Sequence, residues 1–408
     1  MEMFKKSLIA IAALGAFAGS AMAADITISG RIDTGLNFHD YEYKHDGVVD
    51  KDGNSFGMMG GQYSGSRVTI KGSEELGNGM KAGFILENGF ESDDGSFSQA
   101  DKLFGREAIV YLEGGFGHIS MGREGALSSG LGSYNVVYGY SPFSTGWGDY
   151  TSNNGLFMLG DRSRWNNTIT YRSPEFAGVQ VYAQYSFEAD AQEADQSTKN
   201  KRYAALGATY NLGAFSTGLV VDTIMNESDG AAEHAEDPDS SAYKNTEDSL
   251  GISWGASYDF GVTKPMILVQ YGKNENKLGG FLAEDVTDVV GGSELTTDEG
   301  LKGYAVSIGA VTPLFGGNLY TAVNYTDGET DGTVVSANGA AAPYNTTADI
   351  ERWGFAVGYD YPLSKRTKLY GFASYSEGEL KATGVNSGNK TKYEEQDIEA
   401  GVGLIHYF

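Results

Sequence analysis

The chain has 408 residues, with 58 glycines against 7 prolines, 26 tyrosines and 20 phenylalanines against 4 tryptophans, no cysteine, and a formal net charge of −25. The absent cysteines exclude thiol nucleophiles, thiolate metal sites and iron–sulfur clusters, and the acidity excludes a nucleic-acid partner, which demands a basic surface. A mean hydropathy of −0.31 argues against membrane helices but not against a membrane barrel, whose strands offer lipid only every second residue.

Residues 1–23 read as a signal peptide: Lys5 and Lys6 precede an apolar stretch from Ser7 to Ser20, and Ala21-Met22-Ala23 supplies a small-x-small cleavage site. The mature chain is then expected to start at Ala24 and to form one domain over 24–408. No later segment approaches the roughly 18 consecutive apolar residues of a membrane helix.

Alternation dominates the rest. In Asp25–Phe38, Ile26, Ile28, Ile32, Leu36 and Phe38 share one parity, and Thr27, Ser29, Arg31, Asp33 and Asn37 the other. In Arg164–Arg172, Trp165, Ile169 and Tyr171 fall on one face and Arg164, Thr168, Thr170 and Arg172 on the other. The same period of two runs through Val179–Glu188 and Asp397–Phe408. Several of these segments reach about 10 residues, the length of a tilted bilayer-spanning strand rather than of a soluble one. Aromatics near the segment ends, among them Phe38, Trp165, Tyr171, Tyr325 and Trp353, fit interfacial girdles.

Tight connections such as Glu74–Gly79, Gly114–Gly117, Pro174–Gly178 and Thr312–Gly317 alternate with long polar ones. The long ones cover about Asp40–Tyr63, Ser92–Lys102, Glu124–Gly160, Ala189–Asn200, Asn226–Glu247, Asn274–Gly300, Asp327–Thr347 and Leu380–Lys392. Eight long loops imply about sixteen strands. The expected fold is all-β: a transmembrane antiparallel β-barrel with short periplasmic turns and long extracellular loops, placed in the outer membrane of a Gram-negative cell.

The residues also resemble a known family, the trimeric general porins of Gram-negative bacteria, over essentially the whole mature chain. The resemblance lies in the opening TISGRIDTGL, in Ser66–Phe90 (SRVTIKGSEELGNGMKAGFILENGF), in Leu103–Glu124, in Asn166–Tyr185 and in the closing GLIHYF. It implies a sixteen-stranded barrel, a homotrimer, a third loop folded into the lumen, and a passive channel for ions and small hydrophilic solutes. It also implies that Phe408 is an assembly signal read by the barrel-assembly machinery.

Parity alone places Arg31, Arg67, Lys81 and Arg164 on wet faces, since charge facing lipid is costly. The resemblance makes these a basic ladder on the pore wall and adds Arg106 and Arg123. Any of these arginines could instead pair with a wall carboxylate such as Asp33 or Glu87. The expected constriction loop starts at Glu124, carries Tyr134, Tyr138, Trp147 and Asp149, and ends beside Asp161. A structureless stretch of that length is usually functional. The acidic stretch Asn226–Asp248 reads as a solvated loop that draws cations to the mouth, with divalent-cation bridges to lipopolysaccharide phosphates as the alternative.

No catalytic residue, metal or cofactor is expected. Gly251–Gly255 fits the G-x-S-x-G pattern, but in an alternating strand rather than at a strand-to-helix elbow. The five histidines show no ligand spacing. A barrel acting as an adhesin or receptor through its acidic loops is the rival reading.

Overall fold

The computed structural model describes residues 25–99, 102–144, 146–147, 162–189, 200–226, 248–275, 277–278, 281–282, 301–335, 343–384 and 390–408. The leader 1–23, Asp149, Asp161 and the interior of the acidic stretch after Asn226 lie outside the described residues.

The strands are β1 (Asp25–His45), β2 (Val48–Gly60), β3 (Arg67–Gly77), β4 (Met80–Gly89), β5 (Glu107–Gly114), β6 (Gly117–Gly125), β7 (Arg164–Arg172), β8 (Val179–Ser186), β9 (Arg202–Leu212) and β10 (Phe215–Met225). They continue with β11 (Leu250–Tyr258), β12 (Lys264–Glu275), β13 (Lys277–Leu278), β14 (Phe281–Leu282), β15 (Leu301–Leu314), β16 (Gly317–Val335), β17 (Pro343–Pro362), β18 (Thr367–Gly384) and β19 (Lys390–Tyr407). β13 and β14 form a separate two-stranded hairpin. All others join one antiparallel sheet, which closes where β1 pairs with β19 from Arg31↔Tyr407 to His45↔Tyr393.

β1 has two successive partners on its other edge. Its lower half pairs with β3 (Asp25↔Ser73 to Arg31↔Arg67) and its upper half with β2 (Thr34↔Gly60 to His45↔Val48). β2 is therefore the return of a tall hairpin, and sixteen strands make the barrel. Between the two partners the chain from Gly61 to Ser66 folds inward. Gly61 N donates to Asp33 O at 2.9 Å, and the Ser66 hydroxyl accepts from Asp33 N at 3.0 Å.

The expected two faces are present on β1. Ile26, Ile28, Ile32 and Leu36 are exposed outward, while Asp33 and Asn37 are buried inward. Such a face is tolerable only against lipid, which agrees with a membrane barrel.

Three expected loops are largely strand. Asp40–Tyr63, Asp327–Thr347 and Leu380–Lys392 belong mostly to β1–β2, β16–β17 and β18–β19. The reason is a change of polarity at constant parity. Low on β17 the outward residues are Trp353, Phe355 and Val357; higher up they are Glu351 and Asp349, and the inward Ile350 and Ala348 are buried. β18 does the same, passing from outward Tyr375 to Glu377, Glu379 and Lys381, with Leu380 and Ala382 buried inside. Above the bilayer, water rather than lipid covers the outer face, so the polar–apolar pattern inverts. A reading tuned to apolar-outward strands ends too early there.

A second correction concerns Trp165. The β6–β7 ladder shifts register between Gly122 and Glu124, and Asn167 takes a left-handed φ of 51°. This bulge turns Trp165 inward, 2% exposed and 5.3 Å from the Tyr203 ring, rather than into a lipid girdle.

The chain end completes the closure. Gly30 N donates to Phe408 O at 3.0 Å and Phe408 N to Gly30 O at 3.1 Å. A Cβ at Gly30 would lie 2.5 Å from Phe408 Cζ. Gly30→Val is expected to cost about 1–3 kcal/mol by overpacking, lowering the temperature at which the folded, fast-migrating gel band of the heat-modifiable barrel is lost.

Candidate functional site

The segment between β6 and β7 is the longest connection of the sheet that begins inside the barrel, and its described residues run along the inner wall. The wall receives it with glycines on the inward parity of four strands. A Cβ at Gly218 (β10) would lie 3.0 Å from Tyr140 Cε2, and one at Gly255 (β11) 2.6 Å from Tyr140 Cβ. At Gly309 (β15) it would lie 2.7 Å from Pro142 Cγ, and at Gly358 (β17) 2.9 Å from Trp147 Cζ3 and 3.0 Å from Phe143 Cε1. Any larger side chain at these positions would push the loop off the wall.

Polar contacts fix the rest. Leu127 N donates to Gln184 Oε1 at 3.1 Å, and Ser128 donates to Asp222. The hydroxyls of Tyr134 and Ser120 meet at 2.9 Å, as do those of Tyr140 and Ser216. Trp147 N donates to Gln62 O, and its ring lies 4.5 Å from Tyr63 and 4.7 Å from Tyr320. The returning chain is clamped by Arg162, whose Nε donates to Asp222 Oδ1 at 2.6 Å, Nη2 to Ser249 Oγ at 2.9 Å, and Nη1 to Glu275. Burial works against the Arg162 charge, but the Asp222 and Glu275 carboxylates outweigh it and hold its pKa above the ordinary value.

Residues 126–144 and 146–147 carry no ionisable acid or base other than tyrosine. Charge is supplied by the wall: Glu107 Oε1 accepts from Ser133 N at 3.1 Å, and Arg172 lies 5.9 Å over the Tyr134 ring. Arg31 donates from Nη1 to Ser64 Oγ at 2.9 Å and sits 5.2 Å over the Tyr407 ring. Glu87 accepts from Arg106 Nε at 2.9 Å and faces Arg67 Nη1 at 3.4 Å, while Thr69 donates to its other oxygen at 2.7 Å. Arg164 lies close enough to feel Arg106, Arg123, Glu87 and Glu107, and its Nε is buried with no hydrogen-bond partner among the described residues.

The expected residues thus separate. Arg31, Arg67 and Arg106 form one group beside Glu87 and Ser64, whereas the bulge that turns Trp165 inward gives its neighbour Arg164 the opposite parity, within electrostatic reach of Arg106 and Arg123. Lys81 does not join that group. Lys81 shares Glu87's parity but lies six residues down β4, roughly 20 Å away, and pairs with Glu75 at 3.1 Å beside the turn. Arg123 falls on the outward parity with Met121, and the bulge brings its guanidinium to Gly105 O at 2.8 Å and Asn166 Oδ1 at 2.6 Å. Glu124 is not in the loop: it ends β6, buried, and accepts from Ser120 at 3.0 Å and Thr168 at 3.0 Å and from Thr170. Tyr134, Tyr138 and Trp147 are in the loop, buried against the wall at 2%, 7% and 4% exposure. Asp33 forms no ion pair with an arginine among the described residues; it accepts from Tyr370 Oη at 2.6 Å and Ser64 N at 2.7 Å. Ser253 of the G-x-S-x-G match is fully buried within β11 and accepts from Gln270 at 3.1 Å.

Sequence reasoning missed Arg162 and the four seating glycines. The glycines left a signal: small residues on the wet parity of nearby strands mark where a second body packs. Arg162 left none, since its carboxylates stand 60 and 113 residues away.

A family model described as Gram-negative porin matches residues 10–380. An outer membrane porin protein of Bordetella pertussis is 30% identical, over 95% of this chain and all of the relative. Outer membrane porin protein 32 of Delftia acidovorans is 30% identical over 99% of this chain and all of its own length. Among solved structures, an anion-selective porin from Comamonas acidovorans superposes with a TM-score of 0.60 at 22% identity, covering 95% of this chain and all of that one.

Two outcomes test the loop anchorage. Arg162→Ala leaves two buried carboxylates unpaired and is expected to destabilise by about 3–5 kcal/mol, read as a lower urea midpoint together with proteolysis inside the loop. Burial also raises the phenol pKa of Tyr134, Tyr138 and Tyr140, that of Tyr138 to about 12 from 10.0, against opposing hydrogen bonds from Ser120, Gln270 and Ser216 respectively. The folded loop therefore favours the neutral phenols. Its contribution is complete below pH 10 and is lost as the pH rises through about 12. Ultraviolet titration should show a late phenolate phase, with channel noise rising in the same window.

Proposed function

This chain belongs to the Gram-negative porin family, and we propose that its narrowest passage lies between the seated loop and the group Arg31, Arg67 and Arg106. The protein is an outer-membrane porin, a water-filled channel for passive diffusion of ions and small hydrophilic solutes. The finer reading is supported by one observation: Arg31, Arg67 and Arg106 cluster on the wall, residues 126–144 and 146–147 of the loop carry no acid or base other than tyrosine, and only Glu87 forms direct ion pairs with the three, through Arg67 and Arg106, among the described residues. A positive wall without an acidic counterpart on the described loop favours anions in the passage. The acidic total charge acts at the mouth, where salt screens it within about 10 Å at 0.1 M.

The same reading includes a leader removed after Ala23, a homotrimer in the membrane, contact with lipopolysaccharide, recognition of Phe408 by the barrel-assembly machinery, and no catalytic role. The trimer is supported by the family and by a solved Vibrio cholerae outer membrane protein described as a trimer form, which shares the fold at a TM-score of 0.54.

In a planar bilayer under a potassium chloride gradient, the reversal potential should have the sign of chloride preference. Arg31 forms no ion pair with a carboxylate among the described residues, so R31Q can be made without stranding a partner. That variant should keep large conductance steps and lower the chloride-to-potassium permeability ratio by roughly twofold or more. Cation preference in the wild type, unaltered in the variant, would mean that the acidic mouth governs selectivity.

A further inference from the structure

Seven short turns join barrel strands at the end of the barrel that holds Phe408, and each carries a large apolar side chain on its outside. Phe315 is 86% exposed, Phe176 83%, Leu212 63% and Phe260 62%. The other three turns present Leu363, Leu76 and Phe116 at 53%, 45% and 40%. The same turns carry exposed charges at Glu175, Asp259 and Arg366, and a rim bathed only in water would need no large apolar side chains beside them.

The backbone at Phe315 sharpens the point. Phe315 and Gly316 have φ of 50° and 84°, the same two-residue turn made by Asn78-Gly79 (51°, 73°) and, at the opposite end, by Asp46-Gly47 (50°, 78°). Asn and Asp tolerate the left-handed region; a phenylalanine there is strained. Phe315 thus carries a conformational penalty and, in water, a solvation penalty as well. Apolar surroundings would remove the second and offset the first.

The turn carbonyls point the same way. Tyr359 Oη donates to Leu314 O at 2.9 Å, and Tyr171 Oη donates to Phe116 O at 2.8 Å. Phenols from the strands satisfy acceptors that a hydrated turn would leave to water, as a site poor in water requires. Above Phe315, the outward Ile308 and Val323 (both 58% exposed) continue the surface upward into the lipid-facing band.

We propose that the periplasmic turns are sunk in the inner phospholipid leaflet, with Phe315 and Phe176 as the deepest anchors, rather than standing in the periplasm. The partner is the boundary between headgroups and acyl chains, where aromatic side chains partition.

The chain has no cysteine, so nitroxide labels can be placed singly in the full-length protein at F315C, F176C and, as an aqueous reference, D46C. Each is refolded into phosphatidylethanolamine/phosphatidylglycerol vesicles and checked for wild-type conductance. Labels at 315 and 176 should collide with oxygen several-fold more, relative to a water-soluble nickel chelate, than the label at 46. Equal nickel access at all three sites would overturn the proposal. Hydrogen exchange tests the same point on the unaltered protein: amides of residues 314–317 should exchange more slowly in vesicles than those of 46–48, and equal rates would place the turns in water.

Discussion

A sheet can cross a hydrocarbon layer only if no edge is left unpaired, because each orphaned backbone group there costs several kcal/mol. The β1–β19 ladder meets that demand, and most of the other features follow from it. Closure creates an inside and an outside, so the parity of each residue becomes a choice between lipid and lumen. It also sets the place of the chain end, where Phe408 exchanges both backbone hydrogen bonds with Gly30. The tall β1–β2 hairpin is compatible with closure only because β1 changes partner partway up, and the chain released at that change, Gly61–Ser66, becomes part of the inner wall.

A closed sheet of sixteen strands encloses more space than its own side chains fill. The loop after β6 takes part of it. Its seat is made by subtraction, with glycines at Gly218, Gly255, Gly309 and Gly358, and its two ends are fastened by buried polar groups at Glu124, Asp222 and Arg162. Because Asp222 accepts from both Ser128 and Arg162, one carboxylate ties the outgoing and returning limbs of the loop to the same wall strand.

The fold was legible because lipid imposes a period of two over lengths that soluble strands seldom reach, and Ile26, Ile28 and Ile32 carry that signal in one dimension. The site was less so. Arg31 and Arg67 were found by parity because they stand in unbroken strands. Trp165 was misplaced, and the parity of Arg164 reversed, because a register shift between Gly122 and Glu124 is invisible to a parity count. Lys81 was on the right face at the wrong height, since alternation reports direction and not depth. Arg162 needed contacts across the barrel, which no local pattern encodes.

The inversion of polarity on β17 and β18 has a mechanical meaning. Below Trp353 and Tyr375 these strands are stable only in hydrocarbon; above them, Glu351, Glu377 and Glu379 point outward and would be driven from it. Each strand is thus two solvents' worth of sequence joined end to end, and the join acts as a float line. Displacement toward the cell drags carboxylates into lipid, and displacement away from it lifts Phe355 and Val357 into water. The barrel's vertical position is thereby held by restoring forces of opposite sign along a single wall.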